Sequence, residues 1–140
     1  GEKYLNQYFG TIKNSLNQNG TAAIQGIVIK EDLFERYRGN EDFIQKYIFP
    51  GGFLPSLNFM KHLMVINKLN FEKINTYSDD YAKTLGTWRK NFLNAWETIK
   101  IQGFDDYFKR MWEFYLSYCE AGFKSKNINL IQFSMSNKQF

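Results

Sequence analysis

The sequence is poor in the residues that build disulfides and metal sites. Its 140 residues include one cysteine, Cys119, and one histidine, His62. A single cysteine excludes a disulfide framework within the chain and a cysteine-based zinc site, and it favours a reducing compartment. We therefore expect no metal site, and we interpret His62 as a surface or packed histidine and Cys119 as a core residue.

Familiar catalytic motifs are absent as well. The sequence has no glycine-rich phosphate loop, no His-Glu-x-x-His pair and no Gly-x-Ser-x-Gly elbow. These absences exclude the usual sites of P-loop proteins, zinc proteases and α/β hydrolases. No leader-like or spanning segment is visible, since the uncharged run 47–60 holds Pro50 and Pro55 and is too short to cross a bilayer.

Aromatic side chains are what the sequence has in excess. Phe, Tyr and Trp make up 19% of the chain, which predicts a bulky core, an aromatic-lined pocket, or both. The formal net charge of +4 suits an anionic partner such as phospholipid headgroups or nucleic acid, but equally a mildly basic soluble protein. The length fits one domain, which we place at residues 1–140.

Hydrophobic periodicity predicts an α/β chain. Strands are expected at 21–29, 71–77 and 128–133. Helices are expected over 4–16 and 31–38, after an N-cap at Ser56, from caps at 78–80 to Gly103, and over 108–123. Because strands alternate with helices, we predict a layered sheet flanked by helices.

The first predicted strand, 21–29, is almost wholly apolar and has no upstream neighbour for its other edge. An open edge of this kind favours pairing, so we expect a homodimer, a covering segment, or a piece of a larger domain. Gln25 needs a polar partner there, either neighbouring backbone or a ligand at the carboxyl end of the strand. Gly26 predicts a close approach by another group.

Two further features are candidate binding residues. Tyr81 falls in the first turn of a predicted helix, where free N–H groups favour an anion, but it also begins an apolar stripe. The loop 47–56 is apolar and rich in Gly and Pro, so it either lines a lipid pocket, touches a membrane, or packs inward. The substrate-binding candidates in it are Tyr47, Phe49, Pro50, Gly51, Gly52, Phe53 and Leu54.

Five stretches together resemble the cyclopropane-fatty-acyl-phospholipid synthases, relatives of the mycolic acid cyclopropane synthases. They are 46–52 (KYIFPGG) with 54–56 (LPS), 81–85 (YAKTL) with 88–89 (WR), 108–112 (FKRMW), 115–119 (YLSYC) with Phe123, and 132–133 (QF). The resemblance runs from residue 2 to residue 136 and concerns the C-terminal part of the family. It implies the last three strands of a class I, Rossmann-like methyltransferase sheet, with the final strand antiparallel between the other two.

The resemblance also implies a reaction, its methylene donor and its base. The family transfers a methylene group from S-adenosylmethionine to a cis double bond of a phospholipid acyl chain, with bound bicarbonate as the base. The glycine-rich turn that binds S-adenosylmethionine has no counterpart in this sequence, so we expect the isolated chain to be inactive and to hold no cofactor-binding residue. The family's catalytic cysteine lies upstream, so Cys119 does not inherit its role.

Three residues match the family's bicarbonate site. Tyr81 matches a ligand tyrosine, and Gln25 and Ile27 match strand positions, Ile27 through its backbone. Many members carry histidine where Gln25 stands. The 49–54 loop matches the acyl pocket.

The expected partner is therefore unsaturated phospholipid at the inner face of the membrane, reached from the cytoplasm, with no role for nucleic acid. Two alternatives stay open: a related lipid methyltransferase without ring closure, and a non-catalytic lipid-binding or interaction module.

Overall fold

A computed structural model of the chain describes residues 1–138. The chain divides into two compact units. The first comprises residues 1–76 together with the segment that starts at Ile128, and the second comprises residues 77–127. The single partial domain expected over 1–140 stays a prediction.

The first unit carries all the strands of the described chain. A short 3-10 helix, Glu2–Tyr4, leads into the first of its helices. The remaining elements are α1 (Leu5–Ser15), β1 (Thr21–Ile29), α2 (Glu31–Arg38), α3 (Phe43–Tyr47), α4 (Leu57–Ile66), β2 (Asn70–Thr76) and β3 (Ile128–Ser136). The strands predicted at 21–29 and 71–77 and the helix predicted at 31–38 are thereby confirmed, with shifts of one residue at most.

Local capping explains where two of these helices begin. The Ser56 hydroxyl accepts a hydrogen bond from the Phe59 amide at 3.2 Å, which confirms Ser56 as the N-cap of α4. Asp42 and Gln45 form a reciprocal capping box at the start of α3, with both hydrogen bonds at 2.9 Å. These contacts satisfy amides that a helix cannot satisfy within itself.

The sheet has the order β1-β3-β2, and β3 runs antiparallel to both neighbours. The β1–β3 register is regular from Thr21 opposite Ser136 to Ile29 opposite Ile128. The predicted arrangement, an α/β sheet with the last strand antiparallel in the centre, is confirmed. Among residues 1–138 the outer edge of β1 meets only an isolated bridge at its end, where the Ile29 amide donates to the Pro55 carbonyl at 3.1 Å.

One face of this sheet forms the core of the first unit. Helices α1 and α4 pack on it and exclude water from a set of large apolar side chains. These are Phe9, Val28, Met60, Leu63, Met64, Leu69, Ile131, Phe133 and Met135. Because side chains alternate along a strand, Gln25 and Ile27 project from the opposite face to Val28.

The second unit is helical, with α5 (Ser78–Asn94), α6 (Trp96–Ile101) and α7 (Asp106–Lys124). The helix expected to run on to Gly103 is interrupted at Ala95 and then continues as α6. The expected caps at 78–80 are also wrong, because α5 already begins at Ser78. The buried Ser78 hydroxyl instead donates to the Phe123 carbonyl at 2.8 Å, so it ties α5 to α7.

Candidate functional site

The apolar loop after α3 is shaped by a tight turn. The Gly52 amide donates to the Phe49 carbonyl at 2.8 Å, and Pro50 and Gly51 occupy the two central positions. Gly51 has φ +79°, the value that a type II turn requires at its third residue, so glycine is favoured there. Gly52 is also constrained, since a Cβ at this position would lie 2.9 Å from the Phe49 carbonyl oxygen.

The second half of the loop packs inward. The Phe53 ring contacts the rings of Phe34 and Phe59, with centroid distances of 5.9 and 6.2 Å. The Leu54 amide donates to the Tyr37 hydroxyl oxygen at 3.1 Å. The Gln45 side-chain amide donates to the Gly52 carbonyl at 3.1 Å, so side chains of α2 and α3 hold the second half of the loop.

The first half of the loop faces outward. Tyr47 is 48% exposed and Phe49 is 55% exposed, and Pro50 and Gly51 are exposed beside them. The structure therefore separates the seven candidate residues into an outward group, 47–51, and an inward group, 52–54. The inward packing expected of the loop is thus confirmed for its second half alone, and lipid or membrane contact by the exposed half stays a prediction.

Gln25 lies in the middle of β1 and not at its carboxyl end. Its side-chain oxygen accepts a hydrogen bond from the side-chain nitrogen of Gln132 on β3 at 2.9 Å. Of the two alternatives for Gln25, a backbone partner is not what the structure shows, since a side chain takes that place, and a ligand partner stays a prediction. Ile27 is half-buried on the same face and lies opposite Leu130.

Gly26 does not mark a close approach in the described structure. A Cβ built on Gly26 would meet no heavy atom within 4 Å. The expectation from sequence is thus wrong, because the missing side chain leaves open space opposite Ile131.

Tyr81 lies one turn into α5 and its own amide is already used, since it donates to the Tyr77 carbonyl at 2.9 Å. The first turn also carries the exposed carboxylates of Asp79 and Asp80, which oppose an anion there. The half-buried ring packs edge-on against Phe123, with centroids 4.9 Å apart. Burial and, less strongly, Cys119 raise the pKa of Tyr81 above its ordinary value, at which the hydroxyl is already protonated and able to donate at neutral pH.

Tyr115 shares these surroundings in the second unit, and sequence reasoning placed it only on an apolar stripe. Burial, with smaller effects from Cys119 and Tyr81, raises the pKa of Tyr115 to about 12. The i, i+4 spacing of Tyr115, Cys119 and Phe123 in a helix was the one signal that these groups lie together. Cys119 is half-buried and is not one of the fully buried core residues, so its interpretation as a core residue stays a prediction.

A partly buried ion cluster also escaped the sequence analysis. Glu120 on α7 accepts from Arg89 on α5 at 3.2 Å and from Lys124 at 2.5 Å. The hydrogen bond from Lys124, followed by that from Arg89, lowers the pKa of Glu120 despite its partial burial. The Arg89–Glu120 pair joins two helices, so no local spacing could have predicted it.

The described residues offer little for other kinds of site. Between residues 1 and 138, no group of three or more His, Cys, Asp or Glu side chains is arranged to hold a metal ion. His62 is exposed, as expected of a surface histidine. No helix within this same range is long and apolar enough to cross a membrane.

The candidate residues thus fall into both units. The first unit brings Gln25 and Ile27 onto one sheet face and holds the 47–54 loop on α2 and α3. The second unit holds Tyr81 with Phe123 and Trp88, at centroid distances of 4.9 and 6.0 Å. The chain therefore offers the neutral amide of Gln25 and the neutral hydroxyl of Tyr81 as hydrogen-bond donors, and exposed aromatic rings in the loop at residues 47–51.

Comparison with known proteins gives a consistent result. The family model for mycolic acid cyclopropane synthetase matches residues 1–133. Tuberculostearic acid methyltransferase UfaA1 of Mycobacterium tuberculosis is 35% identical over 130 residues, which cover 92% of this chain and 30% of the relative. The cyclopropane-fatty-acyl-phospholipid synthase of Escherichia coli K12 is 32% identical over 135 residues, or 94% of this chain and 33% of the relative.

Solved structures show the same fold. The cyclopropane synthase MmaA2 from Mycobacterium tuberculosis superposes with a TM-score of 0.84 at 20% identity, covering 97% of this chain and 50% of that one. Mycolic acid cyclopropane synthase CmaA1, complexed with SAH and CTAB, gives 0.83 at 23% identity with the same coverage. The chain spans about a third of the length of the curated relatives it matches.

Proposed function

Since this chain belongs to the mycolic acid cyclopropane synthetase family, we propose that it is the C-terminal part of an S-adenosylmethionine-dependent cyclopropane fatty acid synthase. The complete enzyme would transfer a methylene group to a cis double bond of a phospholipid acyl chain. The family match over residues 1–133 is the observation that carries this proposal.

The residues of this chain do not fit an S-adenosylmethionine site. The turn after β1 consists of Lys30 and leads into a helix whose first turn carries Glu31 and Asp32, with no glycine between strand and helix. A Rossmann-like sheet carries its glycine-rich cofactor turn after its first strand, and the resemblance implies that β1 is one of the last three strands, so the strand ends of this chain do not include that turn. We therefore place the cofactor site upstream of this chain and expect the 140-residue chain alone to be inactive.

Bicarbonate, when bound, would supply a base in this family. The residues that we assign to it are Tyr81, Gln25 and the backbone of Ile27. Their chemistry fits an anion, because the Tyr81 hydroxyl stays protonated and the Gln25 amide has N–H donors that no described residue uses. The carboxylates of Asp79 and Asp80 argue that the hydroxyl, and not the helix N-terminus, makes the contact.

The 47–54 loop is our candidate for acyl-chain contact. Its outward rings, Tyr47 and Phe49, are exposed on a turn that is held by hydrogen bonds from both sides. Exposed aromatic side chains next to Lys46 suit the interface of a membrane with anionic headgroups. We accordingly propose peripheral association with the inner face of the membrane from the cytoplasm.

A second candidate function, methyl transfer without ring closure, is supported by the names of several relatives. UfaA1 is a tuberculostearic acid methyltransferase, and a protein of Pseudomonas putida that is 29% identical is a probable fatty acid methyltransferase. Both activities begin with the same methyl transfer. Tyr81, Gln25, Ile27 and the 47–54 loop would therefore have the same roles whichever product forms.

The test uses labelled S-adenosylmethionine, vesicles of unsaturated phospholipid and bicarbonate. The 140-residue chain is compared with a version extended upstream through its reading frame. We expect label in lipid only with the extended version, and proton NMR of the product distinguishes a ring from a methyl branch. Vesicle binding by the chain without labelling by either version would reject the enzyme and favour a non-catalytic lipid-binding module.

A matched pair of variants tests Tyr81 in the extended version. Tyr81→Phe removes the proposed donor and should lower kcat about 100-fold, within the range seen for one catalytic donor. Tyr107→Phe removes a hydroxyl from an exposed ring in the same unit and should leave kcat unchanged. Equal kcat for the two variants would remove Tyr81 from the site.

A further inference from the structure

Three amide side chains form a row across the sheet. Gln132 on the central strand lies directly opposite Gln25 on β1 and opposite Asn75 on β2. All three are exposed and lie on the face that α1 and α4 do not cover. Gln132 is therefore the central member of a polar row in which Gln25 is the proposed anion ligand.

Within this row the direction of one hydrogen bond matters. The Gln132 nitrogen Nε2 donates to the Gln25 oxygen Oε1 at 2.9 Å. An amide has one acceptor end and one donor end, so this bond turns the Gln25 oxygen toward β3. The Gln25 nitrogen then points away from Gln132, and no residue in the described chain accepts from it.

We propose that Gln132 is a positioning residue that fixes the Gln25 amide with its N–H donors toward a bound anion. The inference rests on the proposed bicarbonate site. An unrestrained amide can rotate by half a turn and present its oxygen, which repels an anion. With its nitrogen on the Gln25 oxygen, Gln132 favours the orientation in which Gln25 presents its N–H donors.

Two substitutions of nearly the same size separate this role from simple packing. Gln132→Glu places an acceptor-only carboxylate beside Gln25 and should draw the Gln25 nitrogen toward β3. Gln132→Met removes the hydrogen bond to the Gln25 oxygen without placing a carboxylate where the Gln25 nitrogen could donate. Since apparent affinity falls with the competent fraction, a freely rotating amide should weaken anion binding only about twofold. In Gln132→Glu, reversal together with repulsion by the new carboxylate should weaken it roughly tenfold or more, and the orientation is therefore measured separately.

The first readout is the orientation itself, in the ¹⁵N-labelled 140-residue chain. Side-chain amide hydrogen exchange measured by NMR should show protected Gln132 N–H and unprotected Gln25 N–H. In Gln132→Glu the Gln25 N–H should become protected, and in Gln132→Met it should not. Protected Gln25 N–H in the unmodified chain would mean the opposite bond direction and would overturn the proposal.

The second readout is the bicarbonate concentration for half-maximal methyl transfer by the upstream-extended protein. It should rise roughly tenfold or more in Gln132→Glu and about twofold in Gln132→Met, with kcat at saturating bicarbonate much less affected. Adding Gln25→His to Gln132→Glu should restore it to within about threefold, because an imidazolium donates from both nitrogens.

Each of the two measurements can contradict a different part of the proposal. Equal bicarbonate requirements for Gln132→Glu and Gln132→Met would reject the positioning role. An active extended protein with no bicarbonate dependence would reject the proposed anion site, and the inference with it, while the exchange data would still report how the row is ordered. Expected exchange data together with the roughly tenfold and twofold shifts support the proposal.

Discussion

The loop at residues 47–54 and the helices of the second unit are both rich in aromatic rings, but they hold them differently. In the loop a type II turn at Pro50 and Gly51 decides which rings face outward. In the second unit the helical repeat decides which rings are buried. Phe123, where α7 contacts α5, is 1% exposed. The turn therefore leaves the rings of Tyr47 and Phe49 available for a ligand, whereas the ring of Phe123 on the buried helix stripe stabilises the fold.

The largest expected effect comes from removing a ring at the helix contact. Phe123→Ala should reduce the free energy of unfolding of the second unit by about 3–5 kcal/mol, because it leaves a cavity beside Tyr81. The matched control, Phe49→Ala, removes an exposed ring of the loop and should change it by less than about 0.5 kcal/mol. Urea unfolding measures the free energy of unfolding of both variants. Similar losses in Phe123→Ala and Phe49→Ala would contradict the difference between helix and loop rings.

The turn itself is tested by Gly52→Ala. The new Cβ would lie 2.9 Å from the Phe49 carbonyl oxygen, so backbone must shift, at a cost of about 1–3 kcal/mol. Native-state hydrogen exchange of the Leu54 amide should accelerate, while amides of α7 should not. An unchanged rate at Leu54 would show that the turn does not hold the loop.

The stability of the second unit should decrease at alkaline pH. Its Tyr115 has a pKa of about 12 because of burial, above the ordinary value of 10. The unfolded chain therefore releases this proton at lower pH than the folded chain, so the stabilisation is complete below pH 10 and is lost as pH rises toward 12.

The measurement for Tyr115 is urea unfolding at several pH values in this alkaline range. Tyr115→Phe should flatten the decline, and Tyr107→Phe, which changes an exposed ring, should keep the slope of the unmodified chain. Equal slopes for both variants would mean that burial of Tyr115 does not matter.

The smallest effect is expected at Gly26 on β1. Gly26→Ala meets open space and removes flexibility from the unfolded chain, so it should be neutral or stabilising by up to about 1 kcal/mol. Thermal unfolding checks this. A clear loss of stability would indicate that another group approaches Gly26 closely after all.

Much of the first unit was predictable because its signals are local. The apolar run 21–29 became β1, and Ser56 caps α4 through its own hydroxyl. The single partial domain and the pairing of the β1 edge with a second copy stay predictions, since they concern contacts that lie outside this chain.

The site was harder to predict because its contacts are distant in sequence. Gln25 and Gln132 are 107 positions apart, so the amide partner of Gln25 was invisible until the strands were paired. Likewise, Arg89 and Glu120 meet only because α5 packs on α7. The caps expected at 78–80 were wrong because α5 begins at Ser78 with Tyr77 as its N-cap, and the contact of the Ser78 hydroxyl with the distant Phe123 carbonyl was not predictable.

The sequence by itself determined the family, the strand and helix order, and which residue types could meet an anion or a lipid. Periodicity and turn chemistry act over a few residues, so they can be read from the chain directly. Folding decided which end of the Gln25 amide is free, which loop rings are exposed, and how far Tyr81 is buried. These properties depend on neighbours that folding brings from elsewhere in the chain, through hydrogen-bond direction and burial.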